Sequence, residues 1–440
     1  MAPPGIRTGI LMACLFLSGP LQSQKIFTSV DSLLAYAAST SISVQSGYIR
    51  LDQAKKARLA AILSIPDVTG NASFSYTKNT QLPVNLFPAE VFGGQPGTFK
   101  EVQSGIPYVT NANENVDIKL FSLKGWVNLK LYKLNMESSI SENKVTLKEL
   151  LENVAAAYYN IVSLQEQLTS TIENVTTASS LLAITQNKYK AGLVKQQDVN
   201  DANINYITTK ENKTQLEYLI KQQYIALKIL CDIPAAEAIT IVNRSPLTAF
   251  NANPSVAANT IALTNSLFKE KIALSTWKQQ KYSLYPTLSF FQSYTTQQNN
   301  TRSKLFDNSV KWIPSSYIGL RLSIQIPSST TITQVSKAKY DYLLAQKDTE
   351  QQKIKSDLTL QQLRTDYDKA FSQAASNQEI FLLSKENYEK YLNLYKEGLA
   401  DLEQTLDRFN TMVSSHYNLV SSQVTVLAAQ TKIDINNRLQ

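Results

Sequence analysis

The residues able to do chemistry are few. His416 is the only histidine and sits mid-helix among Ser and Tyr, with no Cys or acidic ligand at metal spacing, so a packed or surface role is the simpler reading. A phosphate-binding Gly-rich loop, a nucleophile elbow and a zinc motif are all missing from the 440 residues. The chain therefore reads as a non-enzyme with no cofactor and no metal, whose work must be energised from outside. The informative acids follow two glycines: Asp198 and Asp201 after Gly192, and Asp401 and Asp407 after Gly398. Charges near a turn are usually solvated surface groups, which is the plain reading for Asp201 and Asp401.

The elements that carry these acids are long. Tyr189-Lys190-Ala191-Gly192-Leu193 returns 206 residues later as Tyr395-Lys396-Glu397-Gly398-Leu399, each copy where one helical pattern stops and another begins. Glycine takes the left-handed backbone angles that reverse a chain between antiparallel helices, so Gly192 and Gly398 read as hairpin tips. Counting back in sevens from Tyr189 meets Leu182, Val175, Leu168, Ile161, Val154 and Leu147, with Leu151, Tyr158 and Ile172 as companions. That is a coiled-coil seam. From Tyr395 the same count meets Tyr388, Phe381, Ala374, Tyr367 and Leu360, larger and more aromatic knobs in the same register. The chain reads as a duplication.

Charged residues make up 18% and the net charge of +8 is spread as single lysines without a basic run, which argues against nucleic-acid binding. Arg7, the apolar run Ile10–Leu17 and the small residues up to Gln24 read as a secretory signal over 1–24, cleaved near Ser23 or Gln24. Leu11-Met12-Ala13-Cys14 resembles a lipoprotein box, but the apolar run before Cys14 is short; lipidation is the minority reading. Cys231 would then be the only cysteine, a buried thiol at a helix end, and no disulfide is possible within the chain. No later segment has the roughly 20 apolar residues of a transmembrane helix.

The first repeat is expected over 25–234. A helix spans Asp31 to Leu63 and ends before Pro66. A strand over 67–78 then alternates Val68, Gly70, Ala72, Phe74 and Tyr76 with Thr69, Asn71, Ser73, Ser75 and Thr77. Asn79 to Glu114, with four prolines, reads as a long exposed loop, followed by a strand over 116–123. The helical hairpin covers about 126–232, and its outgoing arm from Trp126 to Lys190 would span about 100 Å. A connector at 235–253 leads to the second repeat over 254–440. There a helix from Ser255 to Tyr282 precedes strands over 286–295 and 316–326, the latter setting Ile318, Leu320, Leu322, Ile324 and Ile326 against Gly319, Arg321, Ser323 and Gln325. The second hairpin covers about 330–436.

Four strands cannot close a barrel, and lipid tolerates no open strand edge. Three copies would supply 12 strands, an even number within the outer-membrane range. The alternation would turn apolar faces to lipid and the Ser, Thr, Asn and Gln faces to water. Phe74, Tyr76, Phe121, Trp126, Phe291, Trp312 and Tyr317 lie near strand ends, where an aromatic girdle would sit.

In the order helix, strand pair, long helix, tip and shorter helix, twice over, the chain resembles the TolC-family outer-membrane efflux proteins. Its most specific residues are Tyr189-x-x-Gly192-Leu193 followed by Asp198-Val199 and Ala202, and Tyr395-x-x-Gly398-Leu399 followed by Leu406-Asp407, with a proline before each first strand. The resemblance implies a homotrimer with a 12-stranded barrel continuous with a coiled-coil helical tunnel, in the outer membrane of a Gram-negative bacterium and reaching into the periplasm. It implies a periplasmic adaptor (membrane fusion) protein and an inner-membrane transporter as partners, with Gly192, Leu193, Gly398 and Leu399 on the tips that dock the adaptor. Asp198, Tyr395, Asp401 and Asp407 would belong to a periplasmic gate. Three copies of Asp407 would form a carboxylate ring, which favours cations and raises the acids' mutual proton affinity. Gln404 stands where some members carry a second aspartate and Ala400 where a locking Arg occurs, leaving closure weaker or carried by Asp401 and Arg408. The implied activity is passive conduction of small molecules such as drugs. A type I protein-secretion duct shares the architecture, and a secreted coiled-coil scaffold without a pore is the rival from another class.

Overall fold

The computed structural model describes residues 25–439 apart from 245, 249, 251–253 and 259. The expected signal segment with Cys14 lies outside the described residues, as does part of the connector. In chain order the elements are β1 (Lys25–Phe27), α1 (Val30–Thr40), α2 (Ile42–Leu63), β2 (Asp67–Lys78), β3 (Val84–Pro88), β4 (Phe99–Gln103), β5 (Tyr108–Phe121), α3 (Leu123–Lys190), α4 (Gln196–Leu230), β6 (Ile239–Ile241), α5 (Ile261–Tyr282), β7 (Thr287–Asn300), β8 (Ile313–Ser323), α6 (Ser329–Glu397) and α7 (Leu402–Arg438). Two compact units divide the described residues, one made of Gly47–Asn143 and Thr260–Lys355 and the other of the rest. Each unit draws on both halves of the chain.

The first unit holds one antiparallel sheet in the order β2-β5-β7-β8. β2 pairs with β5 from Asp67↔Lys119 to Lys78↔Tyr108, β5 with β7 from Tyr108↔Asn300, and β7 with β8 from Thr287↔Ser323. β5 begins at Tyr108, inside the stretch expected to be loop, because ladder bonds on both sides override the weak strand preference of Asn111, Asn113 and Asn115. The same stretch hides a second hairpin, β3 with β4, closed through a 3-10 turn at Ala89–Phe92 and positive-φ Gly93 and Gly97. Its strands are only five residues long and flanked by Pro and Gly, which masks their period. β7 runs on to Asn300 through Thr295–Asn299, and β8 stops at Ser323, leaving Ile324 and Ile326 outside the expected strand. Pro314 is tolerated because β8 is an edge strand of this sheet. α5 starts at Ile261 rather than Ser255.

The second unit is helical around one main core. Leu33 and Ala37 of α1, Val154, Tyr158 and Ile161 of α3, Leu227 and Cys231 at the end of α4, and Ile241 of β6 are buried together. Each large aliphatic side chain so buried contributes about 2 kcal/mol. Burial pushes the Cys231 thiol up to about 11, which makes it inert. The helix expected to run unbroken from Asp31 to Leu63 breaks at Ser41. The Asp232 carboxylate, at φ +54°, accepts the Ile42 N–H at 2.8 Å and the Ser41 hydroxyl at 3.3 Å, supplying the acceptor that a new helix start requires. β1 and β6 form a short parallel pair that no periodicity announced.

The seam of α3 also differs from the heptad count. Ile161, Val154 and Tyr158 are fully buried, but towards the tip the buried stripe is Thr171, Asn174, Ala178, Leu181 and Thr185, while Leu182, Val175 and Leu168 are half-buried and Ile172 and Tyr189 exposed. Two of these inner positions, Thr185 and Thr171, lie opposite tyrosines. Thr185 Oγ1 lies 3.0 Å from the Tyr395 hydroxyl, and Thr171 Oγ1 2.6 Å from that of Tyr417. Tyr388, Tyr367 and Ala374 of the second repeat are buried on the expected positions.

Candidate functional site

The two tips are built alike. α3 ends with the Gly192 N–H donating to the Tyr189 carbonyl at 2.9 Å and the Leu193 N–H to the Lys188 carbonyl at 2.9 Å. α6 ends with the Gly398 N–H on Tyr395 at 3.1 Å and the Leu399 N–H on Leu394 at 2.8 Å. Both are Schellman turns, which require a left-handed residue at the glycine position. Gly192 has φ +73° and Gly398 φ +82°, and nothing lies within 4 Å of a Cβ built on either, so the backbone angle and not crowding selects glycine. Leu193 and Leu399, each 72% exposed, stand out from the turns as bare apolar side chains.

The acids after the turns divide by task. Asp198 Oδ2 accepts the Lys195 N–H at 2.7 Å at the start of α4. Asp401 Oδ1 accepts the Gln404 N–H at 2.8 Å at the start of α7. α4 thus has its carboxylate at the third helical position and α7 at the cap, two halves of one capping device. Asp407 is exposed and 3.7 Å from its neighbour Arg408, whose guanidinium lies 5.4 Å from the Tyr391 ring. Asp401 thus caps α7 and Arg408 lies between Asp407 and the Tyr391 ring, while Asp401, Asp407 and the latter's counterpart Asp201 are all exposed.

The equivalent tyrosines have opposite fates: Tyr189 is 44% exposed and Tyr395 2%. Tyr395 packs with Leu181, Ala202 and Leu402, its hydroxyl on Thr185. Lys188 Nζ lies 4.5 Å from its ring centroid and donates to its carbonyl oxygen. Burial raises the Tyr395 pKa, partly offset by the Thr185 hydrogen bond. Sequence reasoning missed Thr185 and Lys188, whose polarity marks them as surface residues. Farther along, His416 Nδ1 lies 2.6 Å from Ser170 Oγ with its ring 4.5 Å from that of Phe381, a packed residue.

The sheet unit has two chemically distinct faces. One carries Val68, Ala72, Phe74, Tyr76, Ile118, Val116, Leu288, Phe290, Tyr294, Ile318, Leu320 and Leu322; a register shift between Lys119 and Phe121 brings Phe121 opposite Leu288 on this face. The other carries Thr69, Asn71, Ser73, Ser75, Thr77, Asn111, Asn113, Asn115, Ser293, Thr295 and Gln297. Phe291 pairs with Asp117 and Gly319, and Tyr317 with Ser293, so both lie on the hydrophilic face. That separates them from Phe74 and Tyr76: strand parity outweighs nearness to a strand end. Phe74 stacks on Phe306 at 5.3 Å, Phe306 meets Trp312 at 6.3 Å, and Tyr76 stacks on Tyr108 at 6.1 Å. Phe306 and Tyr108 complete a band at the loop end that the sequence reveals only in part. Trp126 is exposed in the first turn of α3.

Residues 33–231, a stretch that includes the first tip together with β2 and β5, match the family model described as outer membrane efflux protein. Over 92% of its length the chain has the fold of VceC, an outer membrane protein of Vibrio cholerae, with TM-score 0.76, 14% identity and 95% of that chain covered. It likewise matches the CmeC outer membrane channel of Campylobacter jejuni, with TM-score 0.72, 16% identity, and 92% and 85% of the two chains covered. An uncharacterized protein of Haemophilus influenzae is 22% identical over 294 residues, 64% of this chain, and the match spans 63% of that relative's length. The resemblance carried by the tip motifs is thus borne out for family and fold.

Proposed function

We propose that the chain is the exit duct of an efflux system in the outer membrane, assembled from three copies. The observation that carries this reading is the sheet: one face mostly apolar and largely exposed, with Glu114 and Lys78 its charged residues among the paired positions, the other hydrophilic, and two unpaired edges at β2 and β8. An apolar face belongs against lipid, and free edges in lipid demand closure with other copies. Three copies give 12 strands around a water-filled lumen, with the bands at Phe74, Tyr76 and Trp312 and at Trp126 as interfacial girdles. The bare Leu193 and Leu399 suit docking of a periplasmic adaptor protein, which links the duct to an inner-membrane transporter. Conduction is passive, with small molecules as cargo. Asp407, exposed in one copy, fits the carboxylate ring of a constriction at the second tip. Asp198 and Asp401 serve that gate by fixing the starts of the return helices.

The test is single-channel conductance of detergent-purified protein in planar bilayers. Discrete long-lived steps are expected, with cation preference reduced by Asp407→Ala. Absence of steps from both proteins, as folded trimers with their tips removed to exclude a shut state, overturns the reading.

A further inference from the structure

The hydrophilic face of the sheet is not uniform. From the loop end inward, the paired rows through Thr77, Ser75, Ser73 and Asn71 contain no charged residue. The next two rows hold four: Asp117 in the row Thr69, Asp117, Phe291, Gly319, and Asp67, Lys119 and Arg321 in the row Asp67, Lys119, Ser289, Arg321. All the charge of this face among the paired positions is thus concentrated at its helix-proximal end.

This collar is held in place. Arg321 Nη1 donates to Asp117 Oδ2 at 3.3 Å, reaching across β7, and its guanidinium carbon lies 4.5 Å from the centroid of the intervening Phe291 ring. Tyr317 meets Phe291 edge-on at 6.0 Å. Gly319 makes the arrangement possible, since a Cβ there would stand 2.8 Å from Phe291 Cζ. Lys119 pairs with Asp67. In each pair the cation is the more exposed partner: 56% for Arg321 against 28% for Asp117, and 42% for Lys119 against 36% for Asp67. A solute passing this face meets the cations first. A guanidinium held over a ring and tied from one side keeps further N–H donors for a carboxylate, sulfonate or phosphate.

We propose that Arg321, positioned by Phe291 and Asp117, is the specificity-determining residue of the strand-built section and attracts anionic groups of passing solutes. The inference rests on the reading of the hydrophilic face as the lumen. It gives the duct an anion-attracting layer distinct from the acids at its tips.

The test measures local potential by thiol chemistry. Ser323→Cys places a thiol on the exposed hydrophilic face two residues from Arg321, and Leu322→Cys places one on the apolar face. Both are made in the full chain with Cys231→Ser, in lipid nanodiscs, and reacted with sulfonate-bearing and trimethylammonium-bearing methanethiosulfonates. Reaction of the Ser323→Cys variant and not of Leu322→Cys is expected, with the anionic reagent favoured. Adding Arg321→Gln should lower the anionic-to-cationic rate ratio by roughly five-fold, the size for removing one nearby unit charge in a water-like dielectric. Adding Asp117→Asn should raise it, and Phe291→Leu should lower it part of the way. Reaction of the Ser323→Cys thiol with a ratio indifferent to Arg321→Gln overturns this proposal alone, as when a neighbouring copy neutralises the guanidinium. Reaction of the Leu322→Cys variant and not of Ser323→Cys overturns the lumen assignment and the proposal with it.

Discussion

At the scale of residues, the two copies of the Tyr-x-x-Gly-Leu motif put the same positions to different use. Tyr189 and Tyr395 share a motif, yet only Tyr395 is buried, with its hydroxyl on Thr185. Tyr395→Phe should lower the denaturant midpoint of the helical unit by an amount equivalent to about 1 kcal/mol, while Tyr189→Phe leaves it unchanged. His416 adds a pH dependence. Burial lowers its pKa below the usual histidine range, with Glu173 opposing and Lys385 reinforcing the shift. The unfolded chain therefore binds the proton more readily, so this contribution to stability is complete above about pH 6.5 and is lost as pH falls. Unfolding monitored between pH 7.5 and 5 should show a fall in stability that His416→Gln reduces; an unchanged slope in the variant would assign the acid sensitivity elsewhere.

At the scale of elements, the return helices depend on single carboxylates at their starts. Asp401→Ala should cost about 1 kcal/mol and Asp401→Asn much less, because the asparagine side chain still accepts the Gln404 N–H. Thermal melts of the purified protein read this directly. If the role in the tip were charge alone, Asn and Ala would behave alike in conductance; retention of wild-type conductance by Asn and not Ala identifies helix positioning. Gly398 and Gly192 were legible in the sequence as turns because their positive φ leaves few other residues acceptable. The displaced stripe of α3 was not legible, since a heptad count records which residues are apolar and not which partner they meet. Thr185 and Thr171 are inside because tyrosines opposite them need both space and a hydrogen-bond partner.

At the scale of the whole molecule, the exposed apolar face of the sheet and its two open edges are features that a lone chain in water would not keep. In the proposed barrel, Leu320→Arg, on that face, should cost about 2–4 kcal/mol of stability for a position near the bilayer midplane. The expected result is loss of detergent-resistant trimers on unheated gels. Ser315→Arg, on the hydrophilic face of the same strand, should leave them intact.

The sequence by itself determined the two glycine turns, the prolines that precede β2 and β7, and the period-two strands, because each rests on local backbone geometry or on a pattern within a few residues. Tertiary structure decided what depended on partners distant in the chain. The Asp232 carboxylate breaks the first helix at Ser41 from 191 residues away. The pairing of β5 with β7 extends both strands through polar runs, and the register shift at Phe121 chooses that ring's face. The same register sets Phe291 beside Asp117 and Arg321, because strand pairing fixes which side chains share a face, and no stretch of sequence records its partner.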